Sequence, residues 1–390
     1  MHRCRAEVAA FLSIGFRPLY LCAAGFAALA VPAWYAAYAG WITLNPVLPA
    51  PAWHAHEMLF GFAPAVIVGF LFTAARNWTG LPTPSGMGLA ALVALWLAAR
   101  LLMLTGPGPV AVVADVGFLV VAAASLALPL WRSRNYRNAF VVPLLMGLAL
   151  LSWAHHSAVA GYLDPIWMVR TTTLGLDLVA LLLTVIGGRI IPAFSANAVP
   201  GLKPRRWHAI DAAAVGLAIA VGVVDLSAAT TPWAIAGGRG LLWAAAAVQL
   251  LRLAGWMPWR TRHNTLLLVL PLGYLWLPVH FALRALLDPA PGHMAPAALH
   301  ALSVGAMGGL MLAMMTRSAL GHTGRPLAGR DAEGVMFAAV HLAAITRVAG
   351  LLAWPAAAGV WLGTSAALWA LAFAAFAVVY APILVRPRST

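Results

Sequence analysis

The sequence predicts an all-α polytopic membrane protein, a bundle of about twelve transmembrane helices with both termini cytoplasmic. Three observations predict it. Of 390 residues, 63% are apolar and 9% charged, against about 45–50% and 25% in soluble domains. Mean hydropathy is +0.89. Twelve apolar runs are long enough to cross about 30 Å of hydrocarbon. They lie near 16–39, 54–76, 85–104, 109–131, 138–160, 168–193, 207–226, 232–254, 265–287, 297–318, 333–352 and 358–385. Helix breakers such as Gly106-Pro107-Gly108-Pro109 and Asp288-Pro289-Ala290-Pro291-Gly292 separate them, with no room for an extramembrane domain. Residues 1–390 therefore read as a single integral membrane domain, of which residues 1–15 form a short cytoplasmic arm. So much apolar surface excludes a soluble enzyme, a disordered chain and a nucleic-acid partner.

The charges orient the bundle. With a cytoplasmic N-terminus, 19 of the 24 Lys and Arg residues, from Arg3 to Arg388, fall on the cytoplasmic side, as the positive-inside rule requires. The apolar stretch after Arg17 has the length of a spanning helix, longer than the core of a cleaved signal peptide. Arg100, Arg170, Arg239, Arg284 and Arg347 are left inside or at the ends of apolar runs in the outer half. Buried guanidinium groups need anions there. Glu57, Asp115, Asp177 and Asp225 lie at comparable depth, and a cofactor carboxylate would serve equally. Cys4 and Cys22 match no disulfide or metal spacing and read as free thiols.

Histidines carry the chemistry. Of the 12, His54, His56, His155, His156, His280, His293 and His300 gather towards the outer face and His341 lies near mid-membrane. The remaining four, His2, His208, His263 and His322, fall on the cytoplasmic side. Imidazole is the commonest metal ligand and is costly to strand in hydrocarbon, so the outer layer points to metal or haem. In Trp53-His54-Ala55-His56-Glu57-Met58 a helix throws the two histidines about 200° apart, towards two centres. An unwound helix start would instead bring both, with Glu57, to one metal. His155 and His156, about 100° apart on a helix, can reach one ion, and copper takes imidazole readily.

His280 follows Pro278 by two residues, and His300 precedes Gly305, Gly308 and Gly309, which clear space for a neighbouring helix or a flat macrocycle. His341, with Arg347 six residues on, offers an axial ligand and a cation for a haem propionate. The cofactor-binding candidates are therefore His54, His56, His280, His300, His341 and Arg347. The metal candidates are His54, His56, His155, His156 and His300. Glu57 is the catalytic candidate, as a proton carrier alongside Asp115 and Asp177. On this reading His54→Ala or His56→Ala removes bound haem or copper and His263→Ala does not.

Longer motifs carry a resemblance. These are Gly15-Phe16-Arg17-Pro18, Trp53 to Phe62, Asn77-Trp78-Thr79-Gly80, Gly188-Arg189-Ile190-Ile191-Pro192-Ala193-Phe194 and the stretch from His300 to Pro326. With them the chain resembles the NnrS family, haem- and copper-containing bacterial membrane proteins associated with the response to nitric oxide. The resemblance implies a b-type haem, copper, nitric oxide as partner and a place in the bacterial inner membrane. The first functional reading is a nitric oxide reductase-like oxidoreductase fed by quinol or a periplasmic electron donor. A twelve-helix carrier of a metal or small solute is the second, and a non-catalytic protein binding nitric oxide or metal the third.

Overall fold

The computed structural model describes residues 2–44, 46–106, 108–288, 290, 292 and 294–389. His293, Pro107, Pro289 and Pro291 lie outside the described residues, as do the side chains of His2 and Cys4. Among the described residues every regular element is a helix. A short α1 (His2–Phe11) takes up most of the N-terminal arm. Twelve helices long and apolar enough to cross a membrane follow: α2 (Phe16–Tyr38), α3 (Ala50–Thr79), α4 (Gly86–Thr105), α5 (Gly108–Arg132), α6 (Tyr136–Val159) and α7 (Ile166–Ala198). The others are α8 (His208–Ser227), α9 (Pro232–Gly255), α10 (Thr265–Leu287), α11 (Pro296–His322), α12 (Asp331–Ala353) and α13 (Pro355–Val385).

Each predicted apolar run finds its helix, but several helices outlast the run. Hydropathy marks where hydrocarbon ends, not where hydrogen bonding ends. The 33 residues of α7 span about 50 Å at 1.5 Å per residue, well beyond the hydrocarbon core, and the helix continues through Gly188, Arg189 and Pro192. Caps set other ends. Gly80, at φ +69°, closes α3, a conformation that glycine adopts without strain, and Asn135 Nδ2 donates to the Trp78 carbonyl at 3.0 Å. Asn77-Trp78-Thr79-Gly80 is thus a helix stop. Thr231 and Asn264 cap α9 and α10 by accepting from the backbone N–H groups of Ala234 and Leu267.

The chain sorts into two compact units. Unit one comprises Met1–Met168, Met314–Leu327 and Trp369–Thr390. Its most enclosed helix is α3, of whose apolar window 94% is buried, so polar groups on α3 must be matched by other protein groups rather than by lipid or water. Phe62 on α3 meets Trp369 and Phe373 edge to face. Arg17, 4% exposed, donates to the carbonyls of Leu384 and Arg386 at 2.8 and 2.6 Å. Ser389 N–H donates to the Thr323 carbonyl, and the Phe16 and His322 rings meet at 5.7 Å. The motifs around Arg17 and His322 therefore clasp the C-terminal segment.

Unit two comprises Val169–Ala313 and Ala328–Leu368. Its peripheral helix is α8, only 22% buried. A buried polar network ties α7, α8, α9 and α10 together: Arg252 donates to Asp211, to the Thr184 carbonyl and to Tyr274 Oη. Tyr274 in turn donates to Gln249 Oε1, and Gln249 Nε2 to Thr184 Oγ1. A Cβ at Gly188 would run into the Arg252 guanidinium, which accounts for the glycine in that motif.

Candidate metal centre

In three places the helices loosen into π-helical turns: Glu57–Phe62 in α3, Ala301–Gly308 in α11 and Thr346–Gly350 in α12. The first follows His56, the second follows His300 and the third contains Arg347. An extra residue in a turn shifts the register of side chains and frees a carbonyl, which is why such turns gather at functional sites. In α3 the Gly61 carbonyl accepts from Trp96 Nε1 at 2.9 Å, and a Cβ on Gly61 would collide with the Arg100 guanidinium. Arg100 therefore reaches Glu57 across bare backbone.

The geometry around Arg100 is closed. Its Nη1 donates to Glu57 Oε2 at 2.6 Å and its Nη2 to Asp115 Oδ1. The other Asp115 oxygen, Oδ2, accepts from Ser152 Oγ at 2.6 Å and lies 3.1 Å from His56 Nε2 and 3.5 Å from His156 Nε2. His56, Asp115 and His156 are the one group among the described residues whose donor atoms all lie within 4.8 Å of one another as a metal would need. Metal–nitrogen bonds of about 2.0–2.1 Å place neighbouring donors about 3–3.5 Å apart, matching both distances. His56, Glu57 and Ser152 are fully buried and Asp115 is 1% exposed.

Neighbouring groups tune the trio. A carboxylate faces each ring nitrogen of His56, Glu57 Oε1 at 3.5 Å from Nδ1 and Asp115 Oδ2 at 3.1 Å from Nε2; a metal taken at Nε2 would leave the ring proton on Nδ1 facing Glu57, the usual arrangement behind a metal-bound histidine. His155, buried and hydrogen-bonded to the Met168 backbone, has its ring centroid 5.6 Å from that of His56. His54 points elsewhere. Its ring stacks on Trp34 at 4.2 Å and 20°, so the helical geometry of His-x-His separates the two residues. Ser152 carried no recognisable signal in the sequence, and Asp115 was legible as an acid to pair an outer arginine or carry a proton, not as a metal ligand.

Unit two brings other candidates together. His280, fully buried, has Nδ1 2.8 Å from the Ala298 carbonyl. A carbonyl only accepts, so Nδ1 carries the proton and the buried Nε2, without a hydrogen-bond partner, keeps its lone pair. His341 is the reverse. Trp276 Nε1, which only donates, reaches its Nδ1 at 3.2 Å, placing the His341 proton on the buried Nε2. His300 Nδ1 donates to the Pro296 carbonyl at 2.6 Å, and Arg347 Nη2 is 3.1 Å from His300 Nε2. Side chains already occupy the notches left by two glycines. A Cβ at Gly305 would strike Trp276, and one at Gly309 would lie 2.9 Å from His341 Cε1.

The second buried arginine of this kind is Arg284. It donates through Nε to Asp288 Oδ2 at 2.8 Å, through Nη1 to Asp177 Oδ1 at 3.2 Å and through Nη2 to Asp225 Oδ1 at 2.9 Å. Asp288, which the sequence offered only as part of a turn, is buried, and this burial pushes its carboxyl above the usual range. Arg239, by contrast, is exposed.

Fold and site together define a polytopic helical membrane protein with a buried histidine–carboxylate group of metal-binding geometry. The family model described as NnrS protein matches residues 10–388. The chain belongs to the NnrS family, and that membership fits a membrane protein of the nitric oxide response. No curated protein matches the chain.

Proposed function

We propose that the chain is a bacterial inner-membrane metalloprotein that binds nitric oxide and reduces it, with copper held by His56 Nε2, His156 Nε2 and Asp115 Oδ2. The observation that carries this reading is the convergence of those three buried donors. Arg100, Glu57 and Asp115 hold one formal negative charge in excess, which a monovalent copper ion neutralises inside an apolar bundle. Copper, when bound, supplies one-electron chemistry and an open position for a diatomic ligand. Arg100 and Ser152 fix the Asp115 carboxylate, and Glu57 orients His56. Glu57 is in this arrangement a positioning residue. Family resemblance adds a b-type haem. His280, with Nδ1 donating to the Ala298 carbonyl and Nε2 unpartnered, would be the histidine to hold it.

Reduction would join two molecules of nitric oxide to nitrous oxide and water, consuming two electrons and two protons, the electrons coming from quinol or a periplasmic donor. Burial of the trio keeps bulk water off the ligands, while nitric oxide, small and uncharged, crosses hydrocarbon freely. The test is metal analysis and optical spectroscopy of the full-length protein in detergent, reduced and then exposed to nitric oxide. Copper retained by the native chain and lost in His156→Ala, with a spectrum that shifts on adding nitric oxide, supports the reading. A native chain that takes up neither copper nor haem overturns it and favours the carrier.

A further inference from the structure

The Arg284 cluster holds more negative charge than its cation can match. Three carboxylates, Asp177, Asp225 and Asp288, each 6% exposed or less, surround one guanidinium. Pinning the loop after α10 explains two of them. Asp225 Oδ1 accepts from Gly292 N–H and Asp288 Oδ1 from Ala295 N–H, both at 2.8 Å. Asp177 pins nothing. Among the described residues its buried Oδ2 accepts no hydrogen bond, while Asp225 is held beside it on the same guanidinium, with Arg284 Nη2 2.9 Å from its Oδ1 and 2.8 Å from its Oδ2, and the two carboxyl groups are within hydrogen-bonding reach of each other. Two ionised carboxylates in contact in an apolar interior repel strongly, and the ordinary remedy is a shared proton.

A metal ion fits less well. The guanidinium already fills the centre that the carboxylates surround, and the three aspartates do not meet the donor spacing of the His56 group. Among the described residues the other charged or titratable groups near the pair are Arg284 and His280 on α10, Asp288 just past its end and Arg239 on α9. None of them offers Asp177 Oδ2 a donor. A cleft lined by Val221, Val224, Asp225, Arg239, Arg284 and Asp288 leads to the cluster, and Arg239 at its rim is exposed.

We propose that Asp177 and Asp225 share a proton at neutral pH and exchange it with the medium through this cleft, forming a buried proton-binding site built wholly within unit two. The inference does not depend on copper or haem. It is tested by infrared spectroscopy of the full-length protein in detergent, reading the C=O stretch of protonated carboxyl groups. The native protein should show such a band at neutral pH, shifted down by isotope-labelled aspartate and again within minutes of transfer to heavy water. Asp177→Asn and Asp225→Asn should each abolish it, while Asp164→Asn, at an exposed position, should leave it. No aspartic band in the native protein overturns the proposal whether or not the variants fold. A band insensitive to heavy water, or one surviving both Asn substitutions, overturns it as well.

Discussion

Arg100 and Arg284 are both buried cations set among acids, one in each unit, and they differ in what completes the charge. Around Arg100 there are two carboxylates and a pair of imidazoles whose nitrogens approach Asp115. Around Arg284 there are three carboxylates, with backbone N–H groups but, among the described residues, no imidazole at hydrogen-bond distance. An excess negative charge beside neutral nitrogen donors suits a soft or borderline metal cation. One beside oxygen alone, with a guanidinium already at the centre, suits a proton. On the proposed readings the same device, an intramembrane arginine, would prepare two kinds of site according to the second ligand type around it.

The largest effects should come from removing the arginines. Arg284→Leu leaves three buried carboxylates without their cation, and losses of about 3–5 kcal/mol are usual when one partner of a buried pair is deleted. Denaturant unfolding in detergent should show such a loss. Arg100→Leu should destabilise the metal-free protein comparably, but added Cu(I) should restore part of that stability, because the ion supplies positive charge at Asp115. Copper should rescue nothing in Arg284→Leu. Equal behaviour of the two variants with copper would remove the proposed distinction between the regions.

Next in size is the loss of a ligand. His156→Ala should lower copper affinity by more than the roughly 10–100-fold typical of losing an outer-shell partner, measured by competition with a chelator, without lowering the stability of the metal-free protein comparably. Glu57→Gln tests orientation. It should fall within that roughly 10–100-fold range, since His56 remains but its tautomer is no longer imposed. A Glu57→Gln variant with native copper affinity and lost nitric oxide turnover would instead make Glu57 the proton carrier that its place in the sequence first suggested.

Much of the fold was legible because spanning helices are set by a one-dimensional quantity, apolar length. The separation of His54 from His56 was one of two arrangements the sequence allowed: a helix gives it, and an unwound helix start would have brought both to one metal. Pairing was not legible. Which acid meets Arg100 or Arg284 depends on contacts such as Arg100 with Glu57 and Arg284 with Asp177, 43 and 107 residues apart, and no local pattern encodes them. Ser152 and Trp276 look like ordinary apolar-helix residues, and only their hydrogen bonds to Asp115 and His341 reveal a role. The π-helical turns leave no periodic trace either. Gly305 and Gly309 announced space correctly, but its occupants, Trp276 and His341, could come only from the packing.

The smallest expected effect sharpens the comparison within a single motif. The sequence treats His54 and His56 alike as ligands, whereas the structure sets one against Trp34 and the other against Asp115. His54→Ala removes a stacked ring pair, a contact worth about 0.5–1.5 kcal/mol, so it should lower unfolding stability by that order and leave copper content at the native ratio. His56→Ala should do the reverse, emptying the copper site. Metal analysis of both variants, prepared side by side with unfolding curves, separates the effects. Loss of copper in His54→Ala would mean that α3 unwinds at its start when metal binds, bringing both histidines to one ion, and Glu57 would then change from an orienting group to a neighbour of the metal itself.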